Sequence, residues 1–124
     1  MEPKFFTIQQ ISEMTGLTAH TLRYYEKIGL LYGVNRDTNG YRQYSESDIS
    51  WIYFLLRLRV TGMKVSDMKR FSDLRNQGEA TINARRKLLE THQRNVLTQI
   101  NELKNNLKMI DEKIELYKRM EGQD

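Results

Sequence analysis

Residues 82–120 contain neither proline nor glycine, and apolar side chains recur through them in steps that alternate four and three. This heptad pattern predicts a coiled-coil helix, because it places one apolar seam along the helix. At a rise of 1.5 Å per residue, the seam spans roughly 42 Å, more than a small N-terminal part is expected to cover. The seam positions, all apolar except Gln93, are Leu89, Gln93, Val96, Ile100, Leu103, Leu107, Ile110, Ile114 and Tyr117.

An apolar stripe of this length needs a second helix, and the simplest partner is the same helix of a second copy. We therefore predict a homodimer. The flanking positions, such as Glu90 and Lys104, show no regular charge complementarity, so they leave the orientation of the two helices open. A stripe buried within one subunit is the alternative. The predicted dimer contacts are Leu89, Val96, Ile100, Leu103, Leu107, Ile110, Ile114 and Tyr117.

The N-terminus has the signals of two short helices joined by a tight turn, which together predict a helix-turn-helix. Thr7 and Gln10 have the form of a capping box, and Gly16 is suited to end the first helix. Thr18 then caps the second helix. The first helix has three apolar residues spaced for burial, Ile8, Ile11 and Met14.

The second of these helices separates apolar from polar side chains. Leu22, Tyr25 and Gly29 follow one face, and the opposite face carries His20, Arg23, Tyr24 and Lys27. A helix docked by its apolar side leaves the other side free to enter a DNA groove. There, arginine contacts guanine or phosphate and tyrosine hydrogen-bonds the backbone. The alternative for Arg23 is a surface ion pair with Glu26.

A β-hairpin is predicted over residues 34–44, because its centre, Asp-Thr-Asn-Gly at 37–40, is rich in turn formers. The Asn-Gly pair favours the positive φ angles of a hairpin turn. Arg36 and Arg42 flank the turn, and Tyr41 and Tyr44 add aromatic planes. The hairpin is therefore predicted to be a wing that contacts a minor groove or phosphates. A surface hairpin without this role is the alternative.

Two further helices are predicted before the coiled coil, and we expect them to brace the DNA-binding part. Ser45 and Asp48 cap the first, which ends near Gly62 and has apolar residues at Ile49, Ile52, Tyr53, Leu56 and Val60. The second covers residues 64–75, has an apolar side, and is broken by Asn-Gln-Gly at 76–78. Its apolar side consists of Val65, Met68, Phe71 and Leu74.

The composition of the chain limits the classes of function that it can have. The net charge of +4 agrees with a nucleic-acid partner, and the absence of cysteine excludes disulfides and thiolate metal sites. No signal peptide or membrane-spanning run precedes or follows the motifs, so we expect a cytoplasmic protein. His20 and His92 lie far apart without supporting ligands, and no nucleophile or nucleotide-binding motif occurs. We therefore expect no metal, no cofactor and no enzymatic activity.

These motifs together resemble the DNA-binding domain of the MerR family of bacterial transcription regulators. The resemblance is carried by Thr-Leu-Arg-Tyr-Tyr-Glu at 21–26, Ile-Gly-Leu-Leu at 28–31, Gly-Tyr-Arg-Gln-Tyr at 40–44 and Thr-Gly-Met at 61–63. The remainder, from Thr-Ile-Asn-Ala-Arg-Arg at 81–86 onward, is similar to compact members related to aldehyde-stress and nitrogen-stress regulators. That branch carries a cysteine in the third helix, where this chain has Arg57, so thiol chemistry is excluded.

The resemblance implies a homodimer joined by an antiparallel coiled coil and bound to an operator between two promoter elements. Such regulators bend and untwist an over-long spacer so that RNA polymerase engages both elements. By motif, Arg23 and Tyr24 of the second helix, Tyr41 and Arg42 of the wing, and Lys64 would contact DNA. The full predicted DNA-binding set is Thr18, His20, Thr21, Arg23, Tyr24, Lys27, Arg36, Tyr41, Arg42 and Lys64.

The predicted fold is therefore mainly α. A winged helix-turn-helix domain with a small β-hairpin wing covers residues 1–76, and a linker with a long C-terminal coiled-coil dimerisation helix covers residues 77–124. With no ligand domain expected after the coiled coil, a small effector would bind at the dimer seam or near the helices. Two other functions remain open: a coiled-coil protein-interaction module, and a DNA-bending architectural factor without promoter activation.

Overall fold

The computed structural model describes residues 4–123, so the outer limits predicted for the two domains lie outside the described residues. Within these residues, three short strands and five α-helices follow one another, with a 3-10 helix, Glu79–Thr81, before the last helix. In order they are β1 (Phe5–Phe6), α1 (Ile8–Thr15), α2 (Ala19–Lys27), β2 (Asn35–Arg36), β3 (Arg42–Ser45), α3 (Glu46–Val60), α4 (Val65–Asn76) and α5 (Ile82–Glu121).

The strands form one antiparallel sheet in the order β1-β3-β2. Strand β1 was not predicted from the sequence, because two residues are too short for an alternating pattern. Phe5 pairs with Ser45 and Phe6 with Tyr44, so the N-terminal segment completes the sheet on the far side of the wing. The predicted hairpin is confirmed as β2 and β3, with Arg36 opposite Arg42.

The turn of the hairpin differs from the prediction. Among the described residues only glycines have positive φ, so Asn39 does not adopt it, whereas Gly40 does with φ of 85°. The Gly40 amide donates to the Asp37 carbonyl at 3.0 Å, and the Asp37 amide donates to the Tyr41 carbonyl at 2.8 Å. The Asp37 carboxylate also accepts from the amides of Asn39 and Tyr41, each at 2.9 Å. The side chain of Asp37 therefore stabilises a turn in which glycine alone supplies the positive φ.

The helix-turn-helix is confirmed with its predicted caps. Thr7 and Gln10 form the capping box of α1, Gly16 ends that helix with φ of 78°, and Thr18 caps α2. Met14, which was predicted to be buried, is exposed. Leu17, which follows the turn, is buried in the core instead.

The core lies where α3 packs against α1, β3 and α4. Because α3 has neighbours on several sides, its buried residues do not follow the single stripe predicted from spacing. Ile49 and Ile52 are buried as predicted, whereas Val60 is 66% exposed and Leu56 only half-buried. In α4, Met68 and Phe71 are buried, but Val65 is exposed. The residues of α3 that the prediction missed are Trp51, Leu55 and Leu58.

Buried hydrogen bonds fix the segment that follows α2. The hydroxyl of Ser72 in α4 donates to the carbonyls of Gly29 at 3.1 Å and Leu30 at 3.2 Å. Trp51 Nε1 donates to the same Leu30 carbonyl at 2.8 Å, and its ring stacks on Phe71 with centroids 5.7 Å apart. Since a buried carbonyl without a donor is costly, these bonds stabilise the exit of α2 against α3 and α4.

The chain divides into two compact units, one that ends at Leu88 and one that begins at Leu89. We refer to them as the head and the tail. The tail consists of α5 beyond its first two turns, and this helix confirms the uninterrupted helix predicted over 82–120. Every side chain from residue 97 to 123 is exposed. Within residues 4–123, none of the helices combines the length and apolar character that crossing a membrane requires.

Candidate nucleic-acid interface

Helix α2 has one packed face and one open face, as its spacing predicts. Leu22 and Tyr25 are buried against the core, and α2 ends at Lys27, with Ile28 as its C-cap and Gly29 at φ of 85°. The open face presents charged and aromatic side chains, all exposed: His20, Arg23, Tyr24 and Lys27. An exposed helix face of this composition can donate hydrogen bonds to phosphates and to base edges.

The first turn of α2 is organised by two threonines of the predicted set. Thr18 Oγ1 accepts from the Thr21 amide at 3.0 Å and donates to Thr21 Oγ1 at 2.9 Å. This bond uses the hydroxyl proton of Thr18, so Thr18 serves mainly as the helix cap. The Thr21 hydroxyl proton is left for another acceptor, on the same end of the helix as His20.

The wing arginines do not extend freely into solvent. Arg42 Nε donates to Glu26 Oε2 at 2.5 Å, and Arg36 Nη2 lies 3.8 Å from Glu26 Oε1. Arg36 Nη1 also donates to the Gly40 carbonyl at 3.0 Å. The surface pair between Arg23 and Glu26 that sequence spacing allows is not formed, because Glu26 contacts the wing instead. Glu26 was missed as a site residue, since its partners lie in another element.

The two wing tyrosines have different environments. Tyr41, beside the turn, is 71% exposed, as expected of a residue that contacts DNA. Tyr44 is fully buried beneath the sheet, so the prediction that it adds an aromatic plane to the wing surface is wrong. Successive β-residues point to opposite faces, which sends residue 44 into the core while the chain around residue 41 stays outside. Burial raises the pKa of Tyr44, and the nearby Glu26 carboxylate raises it further.

One groove brings three of the predicted residues together. It has a volume of ≈ 640 Å³ and lies between the N-terminal segment and the wing. Arg23 reaches it from α2, and Tyr41 and Arg42 reach it from the wing. Its other lining residues come from β1, the start of α1 and the wing: Phe5, Phe6, Thr7, Ile8, Gln9, Asp37, Gly40 and Gln43.

Lys64, another of the predicted cations, lies outside this groove. It is exposed and precedes the first turn of α4 as the N-cap, without a side-chain capping bond. The structure therefore places Lys64 at a helix start, where amide donors and a positive charge share one end of the helix. His20, Tyr24 and Lys27 also do not line the groove, although they share the open face of α2 with Arg23.

A helix-turn-helix with an exposed second helix, followed by a wing, defines a class of DNA-binding proteins. Residues 6–74 match the domain described as MerR HTH family regulatory protein. The chain therefore belongs to the MerR family of helix-turn-helix transcriptional regulators, as its motifs predicted. Its relatives carry the name of transcriptional regulators, which is a non-enzymatic class.

Several relatives are similar over most of the chain. An uncharacterised HTH-type transcriptional regulator from Haemophilus influenzae is 39% identical over 92% of this chain and 84% of its own length. The regulator AdhR from Bacillus subtilis is 40% identical over 66% of this chain and 59% of its own. A crystal structure of HiNmlR, described as a MerR family regulator lacking the sensor domain and bound to promoter DNA, matches with a TM-score of 0.85 and 38% identity, covering 94% of this chain and 92% of that one.

Proposed function

We propose that this protein binds double-stranded promoter DNA as a homodimer, recognises its operator sequence through α2 and the wing, and controls transcription initiation by distorting the spacer. The observation that carries the proposal is the separation of α2 into a buried face and an open cationic face. Both HTH helices have satisfied caps, so α2 is held rigidly enough to present that face. The relative HiNmlR, bound to promoter DNA in its crystal structure, supports the same conclusion.

The homodimer follows from the exposure of the tail. Leu103, Leu107 and Ile110 lie on one seam of α5 and are all exposed in a single chain. A second α5 covers such a seam by knobs-into-holes packing. A dimer also holds two heads at one separation, which matches two half-sites on the same side of a duplex. RNA polymerase is the expected further partner, because the dimer would act on promoter geometry.

Substitution of Arg23 by alanine tests DNA recognition. We expect R23A to weaken operator binding about tenfold or more at fixed salt, since an arginine contact to a base or phosphate contributes about 1–3 kcal/mol. The operator is first selected from a genomic fragment pool, and binding is then measured by fluorescence anisotropy. Dimer size, measured by sedimentation, should not change.

Arg70→Ala is the matched control, because Arg70 is an exposed arginine of α4 that does not line the groove or the open face of α2. Equal losses in both variants would show that charge alone is responsible and would contradict the proposed role of Arg23. Selected sites within over-long promoter spacers would support spacer distortion. A chain that selects no DNA but binds a different coiled-coil protein would favour the interaction module.

A further inference from the structure

Glu26 connects α2 to both arms of the wing. Its two carboxylate oxygens are divided between the two strands, with Oε2 2.5 Å from Arg42 Nε on β3 and Oε1 3.8 Å from Arg36 Nη2 on β2. The side chains of Glu26 and Arg42 are only 24% and 22% exposed. A charge-assisted bond that is partly shielded from water is stronger than a surface ion pair.

The position of the carboxylate compensates an unfavourable pair within the wing. Arg36 and Arg42 are directly opposite each other in the β2–β3 register. Like charges at opposed positions on one face destabilise a hairpin. Because both guanidinium groups approach the single carboxylate of Glu26, a residue of α2 offsets part of this repulsion. The orientation of the wing is thereby coupled to that of α2.

The same contact leaves part of Arg42 available. Among the contacts of residues 4–123, Arg42 uses only its Nε edge, on Glu26, and its two terminal nitrogens have no acceptor. Arg42 also lines the groove beside Arg23 and Tyr41. A guanidinium held by one edge offers the remaining N–H groups in a fixed direction.

We propose that Glu26 is a positioning residue for DNA binding: it holds Arg42 so that the free edge of the guanidinium donates to one backbone phosphate of the operator. The inference rests on the proposed DNA-binding function and adds a residue that itself does not touch DNA. Phosphate contacts fix the register of a protein on the duplex. A wing arginine that is held in place therefore favours the correctly registered complex over non-specific complexes.

The substitution Glu26→Gln distinguishes the positioning of Arg42 by Glu26 from the effect of the Glu26 charge on DNA binding. Removal of a carboxylate near DNA by itself strengthens operator and non-specific binding alike, because fewer phosphates are repelled. If Glu26 positions Arg42, the E26Q variant instead loses about tenfold in the ratio of operator affinity to affinity for a scrambled duplex of equal length. The ratio is measured by fluorescence anisotropy at one salt concentration, with circular dichroism to verify folding.

Glu13→Gln is the matched control, since Glu13 is an exposed carboxylate of α1 and its loss changes the charge equally. Its specificity ratio should stay at the wild-type value. An unchanged ratio in E26Q would overturn the inference. A wild-type ratio near one would instead refute the operator recognition that belongs to the proposed function, so the two failures are distinguishable.

A double-mutant cycle adds a second criterion that does not depend on one variant. The combined variant E26Q/R42A should show the same ratio as R42A alone, because Glu26 is proposed to act through Arg42. Additive losses would overturn the inference.

If E26Q fails to fold, R42K replaces it as the test variant. Lysine keeps the positive charge, but it lacks the rigid guanidinium fork that can contact Glu26 and a phosphate together. R42K should therefore lose specificity as R42A does. Wild-type specificity in R42K would contradict the proposal.

Discussion

The head and the tail differ in how their apolar side chains are shielded from water. The head buries its own core, in which residues from four helices and β3 are shielded from water, such as Leu22, Tyr44, Ile52 and Met68. The tail contains a regular apolar seam, yet α5 has no buried residue. The head can therefore fold as a single chain, whereas the tail is complete only when a second helix covers it. Helical periodicity therefore predicts that an apolar face of a helix will be covered. Which element covers that face is decided by tertiary or quaternary packing.

The largest expected effect is on the tail. Leu103 and Met109 are equally exposed, at 68% and 69%, but only Leu103 lies on the heptad seam. Leu103→Lys should weaken dimerisation by about a thousandfold, because each of two copies loses about 2 kcal/mol of apolar burial. Met109→Lys should leave dimerisation unchanged. Analytical ultracentrifugation over a concentration series measures both, and equal behaviour of the two variants would contradict the seam.

The next effect concerns the core of the head. Phe71→Ala should lower the free energy of unfolding of the head by about 3 kcal/mol, since it removes a buried aromatic ring and leaves a cavity. Trp51 is the single tryptophan, and its ring stacks on Phe71, so its fluorescence during urea unfolding reports the head. Leu103→Ala, measured where the chain is monomeric, should leave this transition in place. A common shift in both variants would show that head and tail do not unfold independently.

The smallest effect concerns one buried hydroxyl in the head. Within residues 4–123 the Tyr44 hydroxyl has no hydrogen-bond partner, so Tyr44→Phe should stabilise the head by about 1 kcal/mol. Tyr53→Phe is the matched control with the opposite sign, because the Tyr53 hydroxyl donates to the Met14 carbonyl at 3.2 Å. Urea unfolding followed by Trp51 fluorescence distinguishes the two. A loss of stability in Tyr44→Phe would show that the hydroxyl has a partner.

The environment of Tyr44 also leads us to expect that the stability of the head depends on pH. Burial raises the pKa of Tyr44 above the usual value of 10.0, so the folded state holds the phenolic proton more tightly than the unfolded chain does. The contribution of this difference to the free energy of unfolding is fully present below the usual pKa, and it is lost as the pH rises above that value. The stability advantage of Tyr44→Phe over the wild type should therefore increase at alkaline pH. An advantage that is independent of pH would contradict the raised pKa.

Local signals accounted for most of the fold. The caps at Thr7, Thr18 and Ser45 were predicted because each is a side-chain hydrogen bond within four residues of chain. The open face of α2 was predicted for the same reason, as it depends on spacing in one helix. The two-residue strand β1 was missed, since a strand of this length forms only when β3 is present to pair with it.

The candidate site was predictable only in part. Arg23, Tyr24 and Tyr41 were predicted from motif and spacing, and the structure leaves all three exposed. The DNA contacts themselves remain predictions. Sequence spacing offered Glu26 only as the alternative ion-pair partner of Arg23, whereas Glu26 contacts Arg42, which lies sixteen residues away in the chain. A contact between two separate elements produces no periodic pattern in the sequence, so no local pattern could have identified the Glu26–Arg42 contact.

The sequence by itself determined where helices begin and end, which face of α2 is polar, and that α5 carries a seam. Each of these depends on interactions within a few residues or on one repeating period. Only the tertiary structure decided that Tyr44 is buried while Tyr41 is exposed, that Val60 faces solvent, and that Glu26 holds the wing. Those outcomes depend on which elements pack together, because burial and ion pairing arise from neighbours that are distant along the chain.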